Sequence, residues 1–94
     1  MRLISWDGGR DVSYENCHLV INPKTFEIEA ITGNTDFEPV MGIYSTEAKA
    51  LKVMEMLREQ YMRNNALYID RENNARVMPQ NSLFKFPDDS VVEV

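Results

Sequence analysis

One long helical pattern, from Ser45 to Arg63, constrains the fold more than any other part of the chain. No glycine or proline interrupts it, and the two asparagines that follow are typical of a stop signal. Ser45 is a good N-cap, because its hydroxyl can accept a hydrogen bond from a first-turn N–H group. Glu47 and Arg63 place charges that suit the two ends of the helix dipole. We therefore predict a helix over about residues 46–63.

The apolar surface of this helix is wider than the covering of one sheet requires. At about 100° per residue, apolar side chains fill a central arc of the helix surface. Two further apolar residues widen this arc to roughly half the circumference. The arc holds Ala50, Val53, Met54, Leu57 and Tyr61, and the extension adds Leu51 and Met62. Met56 lies among charged residues on the opposite side. We predict that this surplus packs a partner subunit, because methionine is common at adaptable contacts. The alternative is that the last third of the chain wraps the helix.

The residues before the helix predict an antiparallel meander of about four strands. Asp7-Gly8-Gly9-Arg10 and Asn22-Pro23-Lys24 are turn signals, and a third turn is expected at residues 33–36. Apolar and glutamate side chains alternate between residues 25 and 32, which is typical of a strand with one wet face. Pro39 weakens the fourth strand and favours an edge position or a bulge.

After the helix we expect only short strands. Residues 66–69 and 75–78 are predicted to form a hairpin, residues 82–86 a last strand, and residues 90–94 an added edge strand. Ninety-four residues suit a single domain covering the whole chain. The predicted fold class is therefore α+β, with an antiparallel N-terminal sheet, one long helix and short C-terminal strands. Because so short a chain buries only a modest core, we also expect a helix-mediated oligomer.

Composition and charge exclude several classes of protein. The 44% hydrophobic content argues against disorder, and a net charge of −5 argues against general binding of duplex DNA, which needs a basic face. No apolar run approaches the ~20 residues that cross a bilayer, and the N-terminus lacks the apolar stretch of a signal peptide. The single Cys17 excludes an internal disulfide and fits a reducing compartment. We therefore expect a cytoplasmic protein with no membrane partner.

No motif predicts catalysis, a metal site or a cofactor. His18 and Cys17 are neighbours in a predicted strand, so their side chains point to opposite faces and do not form a nucleophile pair. One cysteine and one histidine do not supply the four ligands of a zinc site. Asp7-Gly8-Gly9 opens no helix, so it is interpreted as a turn and not as a phosphate loop. Asp88 and Asp89 are interpreted as a solvated tail.

The side chains most suggestive of binding lie at the end of the helix and beyond it. Arginine holds phosphate through two hydrogen bonds, aromatic faces stack on bases, and asparagine pairs with an adenine edge. The predicted ligand-binding residues are Arg58, Tyr61, Arg63, Arg71, Asn74, Arg76, Phe84 and Phe86. Such a set is typical of a nucleotide pocket, although no fixed spacing identifies one. The alternative is that these arginines lie on a solvated surface.

Three stretches of the sequence, in this order, carry a resemblance to a known group of proteins. They are MRLISWDG with DVSYE (residues 1–8 and 11–15), YSTEAKA with MEMLR (44–50 and 54–58), and FKFPDD (84–89). Together they resemble small proteins of phages and prophages of Gram-positive gut bacteria. Those proteins are in turn similar to the first family of Thoeris anti-defence proteins. That family is non-catalytic and sequesters nucleotide signals made by bacterial immune enzymes, chiefly glycocyclic ADP-ribose and in some members cyclic oligonucleotides.

The resemblance implies a phage anti-defence protein that acts in the host cytoplasm. Such a protein binds a cyclic nucleotide signal without cleaving it, in pockets near the subunit contacts of a homo-oligomer. An aromatic side chain would stack on adenine and arginines would hold the phosphates, but no family motif assigns these roles to particular residues here. One alternative is an acidic phage protein whose acidic first half inhibits a host protein by direct binding. Another is a small hydrolase acting on a nucleotide signal.

Overall fold

The α+β class predicted from the sequence is confirmed. The computed structural model describes residues 1–33, 38–66 and 83–94, without the side chains of residues 64–66. The elements run β1 (Arg2–Ile4), β2 (Asp11–Ser13), β3 (His18–Ile21), β4 (Glu27–Ile31), β5 (Val40–Ile43), α1 (Glu47–Ala66) and β6 (Leu83–Lys85), with 3-10 turns at Tyr14–Asn16 and Asp89–Val91. The predicted turn at residues 33–36 lies almost wholly outside the described residues, as do the predicted strands at 66–69 and 75–78, except for Ala66, which belongs to α1.

The strands before the helix divide between two sheets of three strands and do not form one meander. β1 lies in the middle of the first sheet, antiparallel to β2 on one side and parallel to β6 on the other. β3, β4 and β5 form the second sheet, antiparallel and in chain order. The end of the chain therefore completes the sheet that its beginning starts, a long-range pairing that local alternation does not encode.

A bulge in β5 joins the two sheets. The register shifts by one residue between Ile28 and Glu29 of β4, which leaves Met41 without a partner on that strand. The free carbonyl of Met41 accepts a hydrogen bond from the Trp6 N–H group, just beyond β1, at 2.9 Å. β5 is the edge strand of its sheet and follows Pro39, so the predicted edge position and bulge are confirmed.

The hydrophobic core lies where α1 meets both sheets. Its buried members come from four of the strands and flanking segments as well as from the helix. They are Leu3, Ile28, Ala30, Met41, Tyr44, Ala50, Val53, Leu57, Phe84, Phe86 and Val92. The predicted centre of the apolar helix face is thus confirmed as core. Leu51 and Met62, the predicted extension, are 51% and 69% exposed, and a subunit contact through them stays a prediction.

The end of the chain covers one flank of α1. Lys49, Met56 and Gln60 share this flank at about 100° per residue. The Lys49 ammonium donates to the Asp89 carbonyl at 3.0 Å, and the Gln60 amide donates to the Leu83 carbonyl at 2.6 Å. Met56 is half-buried against the core between them. Its place among charged residues is therefore explained by the chain itself, and no partner subunit is needed on this flank.

The helix starts and stops differently from the prediction. Thr46 is the cap, since its hydroxyl accepts from the Lys49 N–H group at 3.2 Å and α1 begins at Glu47. Ser45 instead donates from its N–H group and its hydroxyl to the Asp89 carboxylate, at 2.8 and 3.1 Å. At the other end α1 continues through the two asparagines to Ala66, because asparagine disfavours a helix interior by only about 0.7 kcal/mol or less.

The C-terminal segment is neither a solvated tail nor an edge strand. Asp89 is the first residue of a 3-10 turn. Its carboxylate accepts the two hydrogen bonds from Ser45 and also lies 3.6 Å from the Lys49 ammonium. The buried hydroxyl of Tyr44 donates to the Pro87 carbonyl at 2.9 Å. These contacts fasten the segment to the first turn of α1.

We predict that Gly42→Ala lowers the free energy of unfolding by about 1–3 kcal/mol, because the new Cβ overpacks the core. That Cβ would lie 2.6 Å from the ring and hydroxyl of Tyr44, whereas the same atom at Gly33 meets nothing within 4 Å. Gly33→Ala is therefore the matched control. Urea unfolding measures both variants, and equal midpoints would contradict the close packing of Gly42 on Tyr44.

We predict that Asp89→Asn destabilises the protein at neutral pH and that this difference vanishes in acid. Hydrogen bonds from the Ser45 N–H group and hydroxyl, with the Lys49 charge nearby, hold the pKa of Asp89 below its usual value against the effect of burial. A lowered folded pKa stabilises the protein above the unfolded pKa, and this contribution is lost as the pH falls through the folded pKa. Urea unfolding as a function of pH measures the effect, with the exposed Glu93→Gln as the control. A difference independent of pH would show that the carboxylate charge has no role.

Candidate functional site

A groove of about 520 Å³ lies between the middle of α1 and the segment that joins β2 to β3. The helix wall consists of residues one turn apart, so they form a single stripe. That wall holds Met54, Leu57, Arg58 and Tyr61, and the facing wall holds Tyr14, Glu15, Cys17, His18 and Leu19. The groove thus combines apolar, aromatic and charged side chains from segments far apart in the chain.

Two tyrosines meet across the groove. The ring centroids of Tyr14 and Tyr61 lie 4.6 Å apart, with the ring planes tilted by 45°. The Tyr14 N–H group donates to the Met1 carbonyl at 3.0 Å, which holds the 3-10 turn against β1. Both side chains are half-buried, so each ring keeps part of its surface open to a ligand. A tilted pair of this kind contributes about 0.5–1.5 kcal/mol and fixes the position of both rings.

Arg58 supplies the positive charge of the groove. It is exposed, and within residues 1–33, 38–66 and 83–94 no carboxylate pairs with its guanidinium. Beside it on α1 lie Leu57, which is buried, and Met54, which is half-buried. A guanidinium without a partner, next to apolar and aromatic surface, can hold a carboxylate or a phosphate through two parallel hydrogen bonds.

Glu15, on the opposite wall, is already engaged. Both of its carboxylate oxygens accept from the amino group of Met1 at 3.0 Å. Burial works to raise the pKa of Glu15, but the hydrogen bond and charge of that amino group outweigh it and hold the pKa below its usual value. The carboxyl group is therefore ionised at neutral pH, which does not suit a general acid.

Cys17 lies half-buried on the same wall. Its thiol is 3.8 Å from the Tyr14 carbonyl, to which it donates a weak hydrogen bond. Burial, and then the negative charge of Glu15, raise the pKa of the thiol. Because the thiolate is the reactive form, these surroundings keep Cys17 protonated and poorly nucleophilic.

The structure separates the residues predicted for the site. Arg58 and Tyr61 line the groove, whereas Arg63 is exposed further along α1 and does not. Phe84 and Phe86 are 6% and 1% exposed and pack edge to face in the core with centroids 5.3 Å apart. Neither ring has a face open to a base, so we remove both from the candidate site. The remaining predicted residues, Arg71, Asn74 and Arg76, lie outside the described part of the chain.

Sequence reasoning missed the wall that faces the helix. Nothing in residue spacing links Tyr14 to Tyr61, because their contact is made across the fold. One signal was available in the segment itself. A connection exposed to solvent seldom contains both a tyrosine and a cysteine, which are types more often found wholly or partly buried.

No group of three His, Cys, Asp or Glu side chains in the described residues is arranged to hold a metal ion. In the same part of the chain no helix combines the length and apolar character needed to cross a membrane. Comparison with known protein families, curated proteins and solved structures finds no match.

We predict that Cys17 reacts with iodoacetamide more slowly in the folded protein than in the unfolded chain at neutral pH. Its raised pKa also means that the midpoint of the rate against pH lies higher in the folded state. Mass spectrometry of samples quenched over time measures both rates, with the urea-unfolded protein as the control. A folded midpoint at or below the unfolded one would contradict the apolar surroundings assigned to the thiol.

Proposed function

We propose that this protein binds a small anionic nucleotide in the groove and retains it without chemical change. The observation that carries the proposal is the guanidinium of Arg58, which pairs with no carboxylate of the described residues, beside the Tyr14–Tyr61 pair. A nucleotide carries a planar base and a charged phosphate on one compact molecule. The groove offers ring surface for the first and a planar cation for the second.

The charged, aromatic and apolar side chains of the groove have separate parts in this binding. Arg58 pairs with phosphate oxygens, and the exposed parts of the tyrosine rings contact the base. Leu19, Met54 and Leu57 form the apolar lining that excludes water from these contacts, which strengthens them. Ring stacking contributes about 1–3 kcal/mol per base and a charge-assisted hydrogen bond about 1.5–3 kcal/mol.

Retention without turnover is supported by the state of the ionisable groups. The Glu15 carboxylate is held by the Met1 amino group, and the Cys17 thiol is kept protonated by its surroundings. Among the described residues that line the groove, a ligand therefore meets a cation and rings, but neither an activated nucleophile nor a free carboxyl acid. Those are the properties of a protein that lowers the free concentration of a signal.

The finer proposal is a phage anti-defence protein that sequesters a cyclic nucleotide immune signal in the host cytoplasm. It rests on the resemblance to the first family of Thoeris anti-defence proteins. Two of the stretches that carry the resemblance, residues 11–15 and 54–58, meet at the groove and supply Tyr14 and Arg58. The resemblance further favours a homo-oligomer, for which the exposed Leu51 and Met62 on α1 are the candidate contacts.

We predict that calorimetry detects binding of at least one of the cyclic ADP-ribose isomers or cyclic di- and trinucleotides. Arg58→Ala should weaken that binding by at least about tenfold, because a charge-assisted hydrogen bond is lost. Arg63→Ala is the matched control, since it removes the same exposed charge from the same helix outside the groove. Equal loss in the two variants would contradict a specific role of Arg58.

Further outcomes test the rest of the proposal. Absence of heat with every probe, at protein concentrations that detect micromolar affinity, would overturn nucleotide binding. Chromatography after prolonged incubation should recover the ligand intact, and a cleaved product would instead show a hydrolase.

The native mass of the particle, measured with and without the ligand, shows whether Leu51→Asp or Met62→Asp separates subunits.

A further inference from the structure

The second sheet has a face turned away from the core, which we call the outer face. Its members follow from the register, because cross-strand partners share a face and neighbours along a strand alternate. Leu19 and Ile21 of β3 pair with the buried Ala30 and Ile28, so the residues between them face outward. The outer face consists of Val20, Glu27, Glu29, Ile31, Val40 and Ile43, whereas His18, at the start of β3, lines the groove and is left out of this set.

This face is more apolar than the solvated side of an antiparallel sheet, which is usually polar. Val20 and Ile43 are 38% and 43% exposed. They are the cross-strand partners of Glu29 and Glu27 respectively, and Val40 stands on the other side of Glu29. Glu29 therefore lies between Val20 and Val40, and Glu27 lies beside Ile43.

Glu27 and Glu29 form a fixed pair of negative charges within this surface. They are half-buried, and neither makes an ion pair in the part of the chain that the structure describes. Glu27 accepts a hydrogen bond from the Thr25 hydroxyl at 3.2 Å, which orients its carboxylate. Two residues along an extended strand place the two side chains roughly 7 Å apart on one face.

We propose that the outer face docks a protein surface that carries aliphatic side chains and a pair of basic residues about one helical turn apart. Basic groups one turn apart on a helix are separated by about 5–6 Å, close to the spacing of Glu27 and Glu29. In the complex, the basic groups of the partner pair with the two carboxylates. The aliphatic side chains of the partner cover Val20 and Ile43 and remove their apolar surface from water. A second copy of this chain does not fit, since face-to-face packing would bring like carboxylates together.

The proposal does not depend on nucleotide binding. The outer face lies on the side of the second sheet opposite to the core, whereas α1 lies on the core side, and His18 at the start of β3 marks the border with the groove. The face spans only three short strands, so the docked complex belongs to the small, transient class of interfaces. Such an interaction weakens as salt screens the charges.

The test uses a synthetic amphipathic helix whose leucine face carries lysines one turn apart. We expect it to shift the backbone amide resonances of Val20, Glu29 and Ile43 in the full chain, and to bind more weakly as salt increases. Glu27→Gln/Glu29→Gln should weaken binding by at least about tenfold. Glu59→Gln/Glu93→Gln is the matched control, because it removes the same charge from exposed residues outside the face.

Three outcomes would overturn the proposal. Equal weakening in the two double variants would show general attraction between a basic peptide and an acidic protein. Shifts centred on α1 would place the peptide elsewhere. A doubled particle mass that is lost in Val20→Thr/Ile43→Thr, in the absence of peptide, would show that a second copy occupies the face.

Discussion

The pairing of β6 with β1 is the contact on which the rest of this structure depends. β1 is the middle strand of its sheet, so it needs a partner on each side, and the last strand supplies the second. The pairing continues past β6, where the Phe86 N–H group donates to the Ile4 carbonyl at 2.9 Å. It brings Phe84 and Phe86 into the core and leads the chain to Asp89, which fastens it to the start of α1. The two ends of the chain therefore close the core together, and the entropy lost in that closure is offset by the burial of two aromatic rings.

Local patterns in the sequence predicted the elements well but not how they associate. The helix, its central apolar face and the irregular β5 followed from the spacing of apolar residues and from Pro39. The split into two sheets could not be predicted in this way. Alternation along a strand indicates which face of the strand is buried, but it does not indicate which strand lies beside it. The cap was misplaced for a similar reason. Both Ser45 and Thr46 carry a hydroxyl, and only the distant Asp89 decides that Ser45 is engaged elsewhere.

The same limit explains the mixed result at the candidate site. Arg58 and Tyr61 were found because the chemistry of their side chains suits an anionic ring ligand. Phe84 and Phe86 have equally suitable chemistry, but burial in the core uses both of their faces. Tyr14 was missed because it belongs to the candidate site through its contact with Tyr61, and only the fold brings these two residues together. Residue type therefore indicates which ligand a site can hold, and the packing decides which residues remain available.

The structure thus presents two surfaces of opposite character on the two sides of the second sheet. The groove beside α1 is aromatic, with a cation that no described carboxylate pairs, and it suits a small anion. The outer face is aliphatic, with two carboxylates that make no ion pair within the described residues, and it suits a basic protein. Neither surface requires the other, so the two proposals, retention of a nucleotide and attachment to a protein, stand independently.

The most direct test of the groove as a nucleotide site is an amide-resolved NMR titration of the unmodified chain with cyclic ADP-ribose isomers and cyclic di- and trinucleotides. For the ligand that binds, we predict saturable shifts at Tyr14, Cys17, Leu19, Met54 and Arg58, with the outer face unchanged. Saturable shifts centred on another part of the molecule, or spectra unchanged by every nucleotide, would contradict this assignment.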